Sequence, residues 1–187
     1  MARHNTGSDS ANTAVRAFLT QVGEFYLGDR STKVKFNTGS VEGKRIWERI
    51  KDEVFLKKCA YCEIENIKLE TEHLIMMNRE QFGLHHPGNI VPVCSRCNIR
   101  KAVNKKYPSW EEHLKLICDG KGEISKFKNR KKKIKEHIKK EKYPELSKEE
   151  KHAIRVIAES LYANTKSELN KSIELYEKLD KAFVSKK

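Results

Sequence analysis

Two cysteine pairs decide the fold of this chain: Cys59-Ala-Tyr-Cys62 and Cys94-Ser-Arg-Cys97. Four thiolates that arrive as two close pairs satisfy a tetrahedral zinc ion and leave no coordination position open. A closed site of this kind is structural, so the pairs predict a zinc-braced core between residues 59 and 97. Any catalysis must then use other side chains.

The segment between and just after the pairs carries four such side chains. Glu72 precedes His73 at the end of an alternating stretch, Asn89 stands before the second pair, and Asn98 follows that pair directly. A carboxylate and an amide oxygen are ligands for a hard divalent cation, and an imidazole with a pKa near about 6.5 can take a proton from water. Neighbouring side chains of a regular strand point to opposite faces, so a site shared by Glu72 and His73 requires the strand to bend or end there.

In order and content these residues resemble the HNH, or ββα-metal, endonucleases. That family has a CxxC pair, a strand ending in Asp/Glu-His, an Asn on the returning strand, and CxxC-Asn/His-x-x-Lys opening a short helix. The resemblance covers about residues 59–107. It implies an α+β protein with a small zinc-braced ββα-metal nuclease core that hydrolyses DNA phosphodiesters with Mg²⁺ or Mn²⁺.

The resemblance also implies a role for each polar residue. His73 is the general base that activates water, and Asn89 holds the His73 imidazole in the productive tautomer. Glu72 and Asn98 bind the catalytic divalent cation, although Glu72 stands where Asp is common in the family. Arg100 and Lys101, in the first turn of the expected helix, receive a phosphate.

These assignments have plainer alternatives. Two CxxC pairs also brace zinc ribbons, so a non-catalytic zinc-dependent nucleic-acid-binding protein is the second interpretation, and an RNA-directed nuclease is a third. Asn89 could form a turn after Pro87-Gly88, and Asn98 could cap a helix. The turn His85-His86-Pro87-Gly88 predicts a solvated loop tip, with His85 and His86 as alternative ligands or as residues that enter a groove.

Charge points to a polyanionic partner. The chain carries 39 Lys+Arg against 26 Asp+Glu, a net charge of +13, and residues 121–142 alone hold eleven Lys/Arg and three Glu. Such an excess favours binding to nucleic acid, here DNA, over a merely solvated helix face. The residues of this run that we expect to contact phosphates are Arg130, Lys131, Lys132 and Lys133.

We expect the chain to divide into an N-terminal helical segment (1–58), a nuclease core (59–107) and a basic helical C-terminal extension (108–187). No stretch approaches a transmembrane length and the first residues lack the apolar run of a signal peptide, so we expect a cytoplasmic, nucleic-acid-associated protein that contacts no membrane. Five cysteines, four of them in CxxC pairs, fit metal thiolates in a reducing compartment, and Cys118 is expected to be a buried apolar residue.

Two capping boxes, Ser147-x-x-Glu150 and Thr165-x-x-Glu168, predict two helices that form a hairpin near the C-terminus. Their apolar stripe, which includes Leu169, Ile173 and Tyr176, suggests either packing onto the body or a homodimer. Because one ββα core holds one scissile phosphate, a dimer would suit an enzyme of the restriction or homing type that cuts both strands.

Overall fold

The computed structural model describes residues 6–28, 34–37, 39–104 and 106–184. Within them the protein is α+β, with five α-helices and a two-stranded antiparallel sheet. In chain order the main elements are α1 (Gly7–Leu27), α2 (Val41–Arg49), β1 (Leu69–His73), β2 (Ile90–Cys94), α3 (Trp110–Gly120), α4 (Phe127–Lys140) and α5 (Lys148–Phe183). Short helical turns are a π-helix at Ile50–Val54 and 3₁₀ turns at Pro87–Asn89 and Ile124–Lys126.

The chain forms two compact units. One comprises Met1–Leu19, Asn78–Phe82 and Leu146–Lys187, and the other comprises Thr20–Met77 and Gly83–Glu145. The second unit contains the sheet and all four cysteines of the two pairs, so it carries the candidate site. The division at residues 58 and 107 that the sequence suggests remains a prediction.

Strands β1 and β2 pair in a regular register that runs from Leu69 opposite Cys94 to His73 opposite Ile90. Every residue of β2 is buried, as its apolar sequence Ile-Val-Pro-Val-Cys requires. Pro92 cannot donate a backbone hydrogen bond, but its carbonyl accepts one from Ala60 N–H at 2.7 Å. This bond fastens the first cysteine pair against the strand that leads into the second.

The core beneath the sheet combines apolar side chains from most of the second unit. Its largest fully buried members are Phe36, Ile50, Phe55, Tyr61, Leu74, Ile90, Leu114 and Ile134. Two buried histidines bond the helices to the sheet region: His113 of α3 to Cys97 O at 2.8 Å, and His137 of α4 to the carbonyls of Pro87 and Ile90 at 3.0 Å. Helix α3 begins with a complete capping box at Ser109.

Two sequence predictions about helices are wrong. The resemblance places a short helix after Asn98, but residues 95–98 form turns and the first helix after β2 is α3. Here Asn98 N–H donates to Cys94 O at 3.0 Å, so the residue closes the loop around the cysteines instead of capping a helix.

The second error concerns the C-terminal helices, which form no hairpin. Helix α5 runs unbroken from Lys148 to Phe183 and begins at the capping box of Ser147. The second predicted cap, Thr165, lies inside the helix, because no Gly or Pro stands nearby to end the preceding turns. Within the described part of the chain, every helix is too short or too polar to cross a membrane.

Candidate active site

The four predicted zinc ligands converge. The Sγ atoms of Cys59, Cys62, Cys94 and Cys97 all lie within 4.8 Å of one another, and all four residues are buried. The Cys62 and Cys94 sulfurs are 3.8 Å apart, close to the edge of about 3.8 Å expected for a tetrahedron with Zn–S bonds of about 2.3 Å. Backbone bonds of 2.8 Å from Glu63 N to Cys59 O and 2.9 Å from Cys97 N to Cys94 O fold both pairs into tight loops.

The protonation chemistry of this cluster also suits a metal. Hydrogen bonding from the Cys97 thiol lowers the pKa of Cys59 to about 5, whereas burial raises the pKa of Cys62 to about 11. Without a cation, the cluster therefore favours the Cys59 thiolate and keeps Cys62 protonated. A zinc ion supplies the charge that deprotonates all four thiols, so these residues could hold zinc as a structural ion. Among the described residues, no other three Cys, His, Asp or Glu side chains converge in this way.

Glu72 and Arg100 form a buried ion pair on one side of the sheet. Arg100 Nε donates to Glu72 Oε1 at 2.7 Å, and Arg100 Nη2 donates to His73 O at 2.6 Å. The Arg100 side chain is only 2% exposed. Burial raises the pKa of Glu72, and the adjacent guanidinium opposes that rise. Arg100 thus lies beneath the surface where a phosphate was expected to meet it, while Lys101 is exposed.

Glu72 and Asn98, predicted to bind one cation together, are each bonded to another residue. Asn98 Nδ2 donates to Glu70 Oε2 at 2.7 Å, while Glu72 is held by Arg100. Glu70 and Glu72 share a face of β1, because they are two positions apart in a regular strand. The carboxylate that lies against Asn98 is therefore Glu70, which the sequence did not single out, and it meets the amide nitrogen of Asn98 instead of its oxygen.

His73 lies on the opposite face of β1, since the register stays regular to the end of the strand. Its Nε2 is 2.9 Å from Nδ1 of His85. The His85 ring also stacks on Phe36, with centroids 4.7 Å apart and an interplanar angle of 21°. Burial lowers the pKa of His85 to about 4, so this imidazole is neutral at neutral pH.

The prediction of a solvated tip at His85-His86 is wrong. Both residues are buried, and His86 is 1% exposed. The His86 ring packs edge-on against Tyr143, and its Nδ1 accepts from Gly88 N–H at 3.1 Å. Sequence inspection gives little warning of this burial, because the side chains that cover the loop come from distant parts of the chain.

Asn89 is 1% exposed, and its side-chain amide forms hydrogen bonds with backbone groups of the loop. Its Oδ1 accepts from Ile75 N–H at 2.8 Å, and its Nδ2 donates to Ile75 O at 2.9 Å and Leu84 O at 2.8 Å. Both amide hydrogens therefore bond carbonyls, and none is directed to the His73 imidazole. Asn89 instead ties together the chain that leaves His73 and the chain that enters His85, and it also belongs to the predicted turn at Pro87–Asn89.

The predicted phosphate contacts on α4 differ in exposure. Arg130 is 3% exposed and donates to Glu63 and Glu123 at 2.9 Å each. Lys131 forms an ion pair with Glu111, and burial lowers the pKa of the half-buried Lys133. Lys132 alone of the four is largely exposed.

Lys132 belongs to a row of lysines that face outward along α4. Lys128, Lys132, Lys135 and Lys139 follow one another at helical spacing, and all four are exposed. Together with Phe127 they line an open groove whose floor is formed largely by their methylene groups. We call these four residues the outer lysine row.

Comparison of the chain with protein-family models, with curated proteins and with solved structures finds no match.

Proposed function

We propose that this protein is a zinc-braced endonuclease of the HNH type that hydrolyses DNA phosphodiester bonds. The observation that carries the proposal is the position of His73. His73 lies at one end of the paired strands β1 and β2, and the cysteine cluster lies at the other end. The His73 imidazole is bonded to a second, neutral imidazole. A histidine fixed in this way suits a general base near neutral pH.

In the proposed reaction the His73 imidazole takes a proton from a water molecule, and the water oxygen attacks phosphorus. The new P–O bond forms as the bond to the 3′ oxygen breaks in line with it, and the leaving oxygen takes up a proton from solvent. Zinc on the four cysteines has no part in these steps, because a closed Cys₄ site offers no open position. Its contribution is to hold the two strands in register.

The residues expected to bind Mg²⁺ or Mn²⁺ do not fit that task as they stand. A cation at Glu72 would lie beside the Arg100 guanidinium, which already neutralises this buried carboxylate, and the amide nitrogen of Asn98 is bonded to Glu70. We therefore assign no step to a divalent cation. Dependence of cleavage on Mg²⁺ or Mn²⁺ is part of the proposal, and it is measured by comparing cleavage with and without these cations.

DNA is the proposed substrate because the chain has a net charge of +13 and presents the outer lysine row. Phosphate contacts from such a surface give affinity that does not depend on sequence. A restriction-type or homing-type specificity is the finer proposal, and it would need base contacts in addition. RNA is the alternative substrate.

The second candidate is a non-catalytic zinc-dependent protein that binds nucleic acid. It is favoured by one observation: the carboxylate next to His73 is neutralised by a buried arginine on the opposite face of the strand. In that case the Glu72–Arg100 pair and the zinc brace a binding surface, and His73 has no chemical task.

The deciding experiment incubates purified protein with plasmid DNA, and separately with RNA, in the presence of Mg²⁺, Mn²⁺ or EDTA. We expect cleavage of DNA, and the comparison of Mg²⁺, Mn²⁺ and EDTA measures whether that cleavage depends on a divalent cation. His73→Ala should lower the rate by about 10²- to 10⁴-fold while DNA affinity is retained. The matched control is His152→Ala, because His152 is an exposed histidine on α5. Binding without cleavage of either substrate would establish the second candidate, and wild-type rates for His73→Ala would remove His73 as the base.

A further inference from the structure

His85 occupies a position that is fixed on several sides. Its ring lies between the Phe36 ring, which it stacks on, and the His73 imidazole, which it bonds. On the backbone side, a Cβ added to Gly23 of α1 would lie 2.1 Å from His85 O, so the helix and the loop are in close contact. A side chain held this firmly can define the orientation of its partner.

The residue before His85 is fastened as well. Leu84 N–H donates to the Tyr143 hydroxyl at 3.2 Å, and Leu84 O accepts from Asn89 Nδ2 at 2.8 Å. Asn89 also bonds both backbone groups of Ile75, two residues beyond His73. The two imidazoles therefore stand on chain segments that one buried amide joins, which limits how far the two backbone segments can move apart.

The contact between the rings restricts the tautomer of His73. When both imidazoles are neutral, the 2.9 Å contact between His73 Nε2 and His85 Nδ1 holds one hydrogen, which sits on one nitrogen or the other. Only the arrangement with the hydrogen on Nε2 places the lone pair of His73 on Nδ1, where it can accept a proton. It also lets the bond to His85 strengthen once His73 becomes charged, because hydrogen bonds from charged donors are stronger.

We infer that His85 is the positioning residue of His73: its Nδ1 accepts the Nε2–H of His73 and thereby holds the proposed base in its proton-accepting tautomer. The inference rests on the proposed function for its consequence in catalysis. It assigns to His85 the direct contact that the resemblance gave to Asn89, and leaves Asn89 to fasten the loop. In the same way, other catalytic histidines are oriented by a residue that bonds the ring nitrogen not involved in proton transfer.

Two variants of His85 distinguish its effect on the orientation of His73 from its own contribution to packing. His85→Asn keeps an amide oxygen near the position of Nδ1, whereas His85→Leu fills a similar volume without an acceptor. We expect His85→Leu to lower kcat by about 10- to 100-fold with little change in KM, and His85→Asn to recover most of that loss. Thermal unfolding of both variants should show that they are folded to the same extent.

A second measurement does not require activity. Nitrogen-15 NMR of the imidazoles at neutral pH should show His73 of the wild type protonated at Nε2, and a mixture of tautomers in His85→Leu. His73 protonated at Nδ1 in the wild type, or equal kcat for the Leu and Asn variants, would overturn the role of His85. If the wild type cleaves neither DNA nor RNA, the proposed function fails, and the NMR result still decides whether His85 sets the tautomer.

Discussion

The two faces of strand β1 use neighbouring residues for different purposes. On one face Glu72 is buried in an ion pair with Arg100, whose guanidinium also bonds the carbonyl of His73. On the other face His73 meets the neutral imidazole of His85. A carboxylate and an imidazole that are adjacent in sequence therefore need not share a site. One face is arranged to hold the hairpin together, and the other presents a group able to exchange protons.

The largest effect is expected from loss of the zinc site, which supports both faces of β1. We predict that Cys62→Ser or Cys97→Ser yields unfolded or aggregated protein, because closing a Cys₄ zinc site can supply on the order of 10 kcal/mol, more than most domains have in net stability. Circular dichroism and elemental analysis measure the result. Cys118→Ala is the matched control, since Cys118 is a buried cysteine outside the cluster and its variant should keep zinc and fold. Folded wild-type protein without zinc would contradict the prediction.

The next effect tests the Glu72 face. We predict that Arg100→Leu lowers the free energy of unfolding by about 3–5 kcal/mol, because it leaves a buried carboxylate unpaired. Burial then raises the folded pKa of Glu72 further above its unfolded value. Stability with a raised folded pKa is present at low pH and lost as pH rises through that pKa, so the variant should be less stable at pH 8 than at pH 5. Denaturant unfolding at the two pH values measures this.

Adding Glu72→Gln to Arg100→Leu removes the unpaired charge, so the double variant should recover part of the lost free energy of unfolding and should lose most of the pH dependence. A measurement of DNA affinity could contradict the prediction for Arg100. If Arg100→Leu unfolds like the wild type but binds DNA more weakly, Arg100 contacts phosphate, as the sequence suggested, and the division between the two faces of β1 does not hold.

The contrast between the faces also shows what the sequence could and could not predict. The cysteine cluster follows from the CxxC spacing alone, and the starts of α3 and α5 follow from local capping boxes at Ser109 and Ser147. These features depend on residues a few positions apart. Short-range chemistry is sufficient to predict them.

The partners of the polar residues could not be predicted in the same way. Arg100 is 28 residues from Glu72 in sequence. His85 is buried by Phe36 and α1, which no pattern near His85 reveals. Lysine-rich α4 is similar, because the buried position of Arg130 depends on Glu63 beside the first cysteine pair. Each of these contacts is tertiary, and it decides whether a charged side chain faces solvent.

A smaller effect is expected from the outer lysine row, which should govern DNA affinity but not chemistry. Each phosphate contact contributes about −0.9 to the slope of log K against log salt on duplex DNA. Replacing Lys128, Lys132 and Lys139 with Gln should therefore reduce that slope by about 2–3, with kcat at saturating DNA unchanged. The control with equal loss of charge replaces Lys171, Lys178 and Lys181 of α5, and an equal change in slope for both triple variants would show that net charge alone matters.

The smallest expected effect concerns the number of copies of the chain that bind one DNA duplex. Under the proposed function one β1–β2 strand pair carries one base, His73, so a double-strand cut in a single encounter needs a second copy of the chain. The far half of α5 offers a surface for it, because Ile173, Tyr176 and Phe183 are 60%, 67% and 76% exposed and lie at helical spacing. Residues 166–181 carry four lysines and four acidic residues, so this segment is neutral in a chain of net charge +13 and two copies can approach there without repulsion.

We therefore predict a homodimer that Ile173→Glu and Tyr176→Glu weaken by about tenfold or more in dissociation constant, which corresponds to about 1.4 kcal/mol. Light scattering of free and DNA-bound protein measures the mass, and Lys171→Glu controls for the added negative charge. The stability of the zinc-braced unit should not change, because these side chains are exposed to solvent. Variants that remain monomeric should nick plasmid DNA without linearising it. A wild type that is monomeric with and without DNA and still makes double-strand breaks in one turnover would show that a single His73 can serve both strands.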